Sequence, residues 1–192
     1  MIFFKLFLTL SLTGAVHSAT MNITGPHALA VPFFSGGSAS INQLANGDTR
    51  IYHQVADGSI WEIVASGPFT KPALEAQTLL VPADEVHLNS PVVATSVDGS
   101  FADVHVFFFS PTLVVSEYIW TSGIGWTGGP SCTACLTTSG FTAASAQFLY
   151  AAENLAANAP STLRVGFNGA EAPGSLSELN KVGGVWQLDL MS

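Results

Sequence analysis

Basic residues are scarce in this chain of 192 residues, which has five lysines and arginines against 13 aspartates and glutamates. The formal net charge is −8 at pH 7. Nucleic-acid binding needs a basic surface, and so does docking on anionic lipid. The composition therefore argues against both kinds of partner. An acidic chain rich in Gly, Ser and Thr favours an extracellular domain.

Long apolar runs are missing after the N-terminal segment. Residues 1–5 form a short basic start, residues 6–15 are mostly apolar, and residues 16–18 end in small side chains. This order is typical of a secretory signal peptide, here residues 1–18, with the domain at 19–192. The run is too short to span the ~30 Å hydrocarbon core of a bilayer. The sequence predicts a secreted, extracellular protein without membrane insertion.

Cysteine is also rare, and the two cysteines, Cys132 and Cys135, stand in one Cys-x-x-Cys sequence. No βαβ pattern surrounds them, so a redox motif is not indicated. In an oxidising compartment they favour a local disulfide. A structural zinc site needs four ligands, and no His lies close in sequence, so no metal is predicted. Asn22 heads an Asn-Ile-Thr sequon and is a candidate glycosylation site.

Helix signals are nearly absent. Runs rich in Val, Ile, Phe and Tyr alternate with clusters of Gly, Pro, Asn and Asp, a pattern that indicates many short strands. Residues 143–157 are Ala-rich and helix-like, yet they also fit a strand at 147–151 followed by a polar loop. The sequence predicts an all-β fold.

A unit of four candidate strands recurs three times, with equivalent positions at 50, 105 and 164. Antiparallel four-stranded units at this period are the signature of β-propeller blades. The blades are predicted at about 38–72, 88–130 and 141–190. A β-sandwich also has many short strands, but it does not require the same residue at the same place in every repeat.

Each repeat carries a basic residue and a Glu at equivalent places. The three pairs are Arg50–Glu62, His105–Glu117 and Arg164–Glu178. Strand alternation and hairpin pairing can bring both side chains together. One interpretation is a cross-strand salt bridge, which contributes only ~0–1 kcal/mol when exposed. The other is a polar clamp whose donors and acceptors match the hydroxyls and ring oxygen of a sugar.

The motifs around these pairs resemble the blade motif of the fungal fucose-specific lectins. The first repeat has Arg-Ile-Tyr-x-Gln at 50–54 and Asp-Gly-Ser-Ile-x-Glu at 57–62, and the second has a Trp and a Gly-Trp-x-x-Gly turn within 117–129. The resemblance covers about residues 38–190. It implies a six-bladed propeller, of which this chain has three blades, with fucose bound between neighbouring blades.

The resemblance also implies the site residues, with Arg and Glu from one blade and two aromatic residues from the next. Trp can cover the C–H face of fucose and donate its N–H to a hydroxyl, although packing within the blade core would also explain these residues. The first site is complete: Arg50, Glu62, Trp120 and Trp126. The second is degenerate, with His105 and Glu117 beside Lys181 and Trp186. The third has Arg164 and Glu178, and its aromatic residues would come from a following blade.

Catalytic signatures are missing. Glycoside hydrolysis needs two carboxyl groups ~5–9.5 Å apart, whereas each repeat supplies one Glu beside a basic residue. An Arg partner is expected to keep the Glu ionised, as an acceptor and not a general acid. No Ser-His-Asp signature, phosphate loop or metal-ligand cluster appears. The sequence predicts a cofactor-free lectin for fucosylated glycans or glycoproteins, and no enzyme.

Two questions stay open at this stage. A secreted interaction protein of propeller origin, with decayed sugar sites, is the alternative function. The three blades fit a homodimer that completes a six-bladed ring, or a truncated relative.

Overall fold

The computed structural model describes residues 38–68, 70–153 and 162–191. These residues belong to one compact unit, Pro32–Ser192. The predicted signal peptide at 1–18 and the predicted glycosylation site at Asn22 lie outside the described residues, so both stay predictions.

The described residues form three antiparallel sheets of four strands each, in sequential order. The first sheet contains β1 (Ala39–Gln43), β2 (Thr49–Gln54), β3 (Ile60–Ser66) and β4 (Ala73–Val81). The second contains β5 (Val93–Ser96), β6 (Asp103–Phe109), β7 (Val115–Thr121) and β8 (Gly125–Gly128). The third contains β9 (Leu149–Glu153), β10 (Leu163–Asn168), β11 (Leu176–Val182) and β12 (Val185–Leu190).

The three sheets share one register between their second and third strands. Tyr52 lies opposite Glu62 in the first sheet, Phe107 opposite Glu117 in the second, and Gly166 opposite Glu178 in the third. In each sheet the basic residue of the pair stands two positions before the residue opposite Glu. Because side chains two apart share a face, the basic residue and the Glu lie diagonally on the same face.

Turn chemistry and one buried glutamine hold the first hairpin. Gly58 has φ +97°, a conformation that Gly adopts without steric cost. The Asp57 carboxylate accepts hydrogen bonds from the backbone N–H of Ser59 at 2.8 Å and from its hydroxyl at 2.6 Å. Gln54 is buried and uses its amide fully: it donates to the carbonyls of Gly58 and His87 and accepts from the backbone N–H of Asn89. Gln54 thus ties the first sheet to the connection that leads to the second.

The core consists of the two interfaces between neighbouring sheets, and β6 contributes to both. Val104, Val106 and Phe108 join the cluster shared with the first sheet, while Phe107 and Phe109 join the cluster shared with the third. Strand alternation sends successive side chains to opposite faces. The second sheet is covered on both faces, so the second half of β6, residues 106–109, is a continuous apolar run instead of an alternating one.

The first strands of the three sheets lie next to one another. β1 contacts β5, and β5 contacts β9. The side-chain hydroxyls of Ser38 and Ser40 accept hydrogen bonds from the backbone N–H groups of Val92 and Ala94, at 2.6 and 2.8 Å. Two serines therefore satisfy backbone groups that have no strand partner at this position.

The predicted fold is confirmed: the described residues form four-stranded antiparallel blades of a partial β-propeller. The outer strand of the first blade, β4, lies beyond the expected boundary at residue 72. The ambiguous stretch at 143–157 contains a strand, β9, in its described part. Within the described residues, no helix has the length and apolar character to cross a membrane.

Candidate functional site

The first basic–acidic pair lies in the cleft between the first two blades. The Arg50 Nε atom lies 4.0 Å from Oε1 of Glu62, and the two side chains are 25% and 12% exposed. Arg50 also donates to the carbonyl of Thr49 at 3.3 Å. At 4.0 Å the pair is a loose ion pair, so much of the donor capacity of the guanidinium remains available to a ligand.

Glu62 is held by two aromatic donors as well as by Arg50. The Tyr52 hydroxyl donates to Oε1 of Glu62 at 3.1 Å, and Trp126 adds a side-chain hydrogen bond. Burial raises the pKa of Tyr52 well above its usual 10.0, and the nearby Glu62 charge raises it further, so the phenol stays protonated and acts as the donor.

The pKa of Glu62 depends on burial as well as on the Arg partner that was expected to keep it ionised. Burial raises the pKa of Glu62 above its usual 4.5. The hydrogen bond from Tyr52, the charge of Arg50 and the hydrogen bond from Trp126 all lower the pKa, but they offset only part of the burial effect. The sequence does not show this burial, because it depends on how much water the fold removes from the carboxylate. The expectation that Arg50 keeps Glu62 ionised stays a prediction.

The two tryptophans come from the second blade and face this pair. The Trp120 and Trp126 ring centroids are 5.7 Å apart, with an interplanar angle of 59°. Trp126 also meets Tyr52 edge-on, at 6.0 Å and 84°. Both tryptophans pack partly against the core between the two blades. The structure therefore brings together all four residues predicted for the first site.

A cavity of about 260 Å³ opens at this cleft. Its lining combines charged, hydroxyl and apolar groups: Arg50, Tyr52, Glu62, Val64, Phe101, Val104, Trp120 and Ser122. Pockets for drug-sized ligands measure ~300–1,000 Å³, so this one has the size for a smaller molecule such as a monosaccharide. An apolar wall beside a few convergent polar groups suits a ligand with both C–H and hydroxyl faces.

Sequence reasoning missed five of the residues that line this cavity, among them Tyr52 and Phe101, which contact Glu62 and Arg50. Tyr52 could have been found, because it stands two positions after Arg50 in the same strand and so shares its face. Phe101 lies just before β6, and its ring centroid is 4.5 Å from Cζ of Arg50. Nothing in the repeat pattern identifies Phe101, since its contact with Arg50 forms only when the two blades pack together.

The second pair is enclosed. His105 Nδ1 lies 2.5 Å from Oε1 of Glu117, and both side chains are buried. The other carboxylate oxygen of Glu117 accepts the backbone N–H of Leu136 at 2.6 Å. Trp186 packs in the core on the same side of the second blade, and the Lys181 Nζ lies 5.5 Å from the centroid of its ring. The cleft holds the four predicted residues, but the chain itself occupies the space in front of Glu117.

The third pair lies on the face of the third blade that points away from the second. Arg164 Nε is 3.5 Å from Oε2 of Glu178, with the Arg side chain 55% and the Glu side chain 6% exposed. Tyr150 in β9 donates a hydrogen bond to Glu178 in β11, with its ring over Gly166 of the intervening strand β10. A cavity of about 310 Å³ adjoins Arg164. The pair therefore resembles the first one, and no strand among the described residues forms a further blade in front of it.

The two cysteines are joined. Cys132 and Cys135 form a disulfide, with their Cα atoms 5.4 Å apart, as the sequence favoured. Among the described residues, no group of three or more His, Cys, Asp or Glu side chains is placed to hold a metal ion.

Comparisons with known proteins give matches among solved structures. No protein-family model matches the chain, and no curated protein matches it. The Aleuria aurantia lectin, described as a six-bladed β-propeller with fucose recognition, is 20% identical over 84% of this chain and 50% of its own, with a TM-score of 0.61. AofleA from Arthrobotrys oligospora is 18% identical over 84% of this chain and 42% of its own, with a TM-score of 0.63.

One solved structure matches over nearly its whole length. The fucose lectin from Kordia zhangzhouensis, solved in complex with methyl-fucoside, is 17% identical over 79% of this chain and 97% of its own, with a TM-score of 0.54. The chain spans about half the length of the fungal structures it matches. The described residues therefore share the blade fold of these structures, as three four-stranded blades of a partial β-propeller.

Proposed function

We propose that this chain is a secreted lectin that binds L-fucose in the cleft between its first two blades. The observation that carries the proposal is the cavity bounded by Arg50, Glu62 and Trp120, with Tyr52 and Trp126 supporting Glu62. It unites a fork of donors, a carboxylate acceptor and an aromatic wall, which are the groups that a deoxy sugar requires. Solved structures of the same fold contain methyl-fucoside and Fucα1-6GlcNAc.

The cavity favours binding over catalysis. Of the residues that line it, Glu62 alone is a carboxylate. Hydrolysis of a glycosidic bond requires two carboxyl groups on either side of that bond. Arg50, Tyr52 and Trp126 all interact with Glu62, so its oxygens serve as acceptors held in place. We propose that the protein is no enzyme.

Titration calorimetry with methyl α-L-fucoside tests the sugar assignment directly. Methyl α-L-galactoside is the matched control ligand, because it differs from methyl α-L-fucoside by one hydroxyl at C6. We expect binding of the fucoside and weaker binding of the galactoside, since the added hydroxyl would lose solvation against the apolar part of the lining. If the protein binds neither sugar, the secreted interaction protein with decayed sugar sites becomes the leading hypothesis.

We also propose a homodimer that completes a six-bladed ring. The Arg164–Glu178 pair, in which the Arg side chain is exposed, supports it, because this half-site has no following blade within the described residues. Light scattering tests the assembly, and a stable monomer that binds sugar would refute it. N-terminal sequencing of secreted protein tests the leader: we expect a start near residue 19, and retention of Met1 would contradict secretion by this route.

A further inference from the structure

The cleft between the second and third blades is built like the first one. Glu117 lies opposite Phe107 in the register that Glu62 has with Tyr52. Trp186 meets Phe107 edge-on at 6.0 Å and 90°, matching the 6.0 Å and 84° of the corresponding contact in the first cleft. The two clefts therefore share a scaffold of a carboxylate, a ring beside it and an indole from the next blade.

The two clefts differ in the path of the outer strand. In the first blade β4 stays in the sheet as far as Val81, whereas β8 ends at Gly128. The chain then leaves the sheet over residues 129–140, here called the plug segment. It returns at Phe141, whose carbonyl accepts the backbone N–H of Val115 at 2.9 Å. The plug segment thus replaces the part of the outer strand that would have bordered Glu117.

The plug segment fills the second cleft with contacts of the kind a ligand would make. Leu136 is fully buried, and its backbone N–H donates to Oε2 of Glu117 at 2.6 Å. The Thr137 hydroxyl accepts the backbone N–H of Glu117 at 2.9 Å. His105 lies at the other carboxylate oxygen. Both oxygens of Glu117 are therefore engaged, whereas Glu62 in the first cleft borders an open cavity.

Trp186, which lies in the same core cluster as Leu136, has a donor that is not used. Its indole N–H is buried without a hydrogen-bond partner, and the residue is 8% exposed. The corresponding indole of the first cleft, Trp126, donates to Glu62. Buried donors are normally satisfied, so an unused one marks a position that another acceptor can fill. The hydroxyls of a sugar are acceptors of this kind.

A disulfide crosslinks two residues within the plug segment. The Cys132–Cys135 disulfide immediately precedes Leu136, and both cysteines are buried. A disulfide restricts the conformations that an otherwise free loop can adopt. These are the only cysteines of the chain, so a reductant has one target.

We propose that the second cleft is a further fucoside site held closed by the plug segment, with the Cys132–Cys135 disulfide as its latch. The ligand assigned here rests on the function proposed above. A dithiol reductant opens the latch by breaking the Sγ–Sγ bond, which leaves a thiol on each cysteine and converts the dithiol into its own disulfide. Withdrawal of Leu136 then frees Glu117 as an acceptor, with the indole of Trp186 as a donor.

Two measurements on the full chain test this proposal. Hydrogen exchange, read by mass spectrometry, reports the protection of residues 129–140. Calorimetry with methyl α-L-fucoside reports the number of sites per chain. Both are done on the oxidised protein, on the protein with dithiol, and on the double variant Cys132→Ala/Cys135→Ala. We expect reduction or substitution to remove the protection and to add one bound fucoside per chain.

Two single substitutions, each made in the Cys132→Ala/Cys135→Ala variant, show which cleft binds the added fucoside. Glu117→Gln should abolish the added site and leave the first, and Glu62→Gln should do the reverse. In the same titration, binding at the first cleft shows that the Glu117→Gln variant is folded. Reduction of the unmodified protein gives a second route if the double variant does not fold.

The outcomes separate the two proposals. Protection that survives reduction and substitution would overturn the latch. Lost protection without an added fucoside would overturn the second site, while the first site stands. A protein that binds no fucoside in any form would overturn the proposed function, and with it the ligand assigned to this cleft.

Discussion

Replacement of Arg50 by Ala is the most direct perturbation of the proposed sugar site. The guanidinium lies 4.0 Å from Glu62 and 4.5 Å from the centroid of the Phe101 ring, and it lines the cavity. Its removal takes away the only charged donor among the lining residues. Tyr52 and Trp126 continue to hold Glu62 through hydrogen bonds, so the carboxylate keeps its place.

The expected loss of affinity exceeds the expected loss of stability. Hydrogen bonds to a charged group contribute ~1.5–3 kcal/mol, which corresponds to roughly one to two decades in Kd. The partly exposed ion pair with Glu62 contributes only ~0–1 kcal/mol to folding. The cation–π contact with Phe101 adds ~0.5–1 kcal/mol. Arg50→Ala should therefore weaken fucoside binding by about tenfold to a hundredfold while the fold remains cooperative.

Calorimetry with methyl α-L-fucoside, together with thermal unfolding, measures both effects. Lys71→Ala is the control, because Lys71 is an exposed basic residue of the first blade that does not line the cavity. Arg50→Lys keeps the charge and loses the planar fork, so it should recover only part of the affinity. Equal affinity of Arg50→Ala and the unmodified protein would refute the reasoning, and the recurring pair would then be structural.

The remaining predictions concern acid, the aromatic wall and a crowded glycine. Because burial raises the pKa of Glu62, fucoside affinity should already fall above pH 4.5 on acidification; Trp126→Phe should move that fall to higher pH by removing a donor. Because burial raises the pKa of Glu62 in the folded protein, protonation of Glu62 stabilises the fold. This stabilisation is largest in acid and is lost as the pH rises through the pKa of Glu62 in the folded protein. Fucoside affinity and thermal stability, each measured across pH, test the two predicted trends. An affinity that stays unchanged down to pH 4 would contradict the first. Trp120→Ala should cost ~0.5–1.5 kcal/mol of binding while a cooperative thermal transition survives; unchanged affinity would remove Trp120 from the site. Gly166→Ala would place a methyl group against the Tyr150 ring and should destabilise the fold by ~1–3 kcal/mol in a urea titration; an unchanged midpoint would contradict this packing.

The repeat and the first site were predictable because their determinants are local. Strand alternation places Arg50 and Glu62 on one face, and Asp57-Gly58 is a turn sequence whose backbone requirement can be seen in the chain itself. The same logic recovers the pairs of the second and third blades. The identity of the second-blade residues that face Arg50 came from the resemblance, and the structure brings Trp120 and Trp126 to that cleft.

The sequence by itself determined the four-stranded repeat, the recurring basic–acidic pairs and the Cys-x-x-Cys pairing, since each depends on residues close together in the chain. The tertiary structure alone decided how those groups behave. Burial between two blades outweighs Arg50 in setting the pKa of Glu62, because desolvation depends on what packs around the carboxylate. The plug segment closes the second cleft because Leu136 reaches Glu117 only after the outer strand has left its sheet. Contacts between residues distant in sequence form only when blades pack, and the repeat pattern does not encode them.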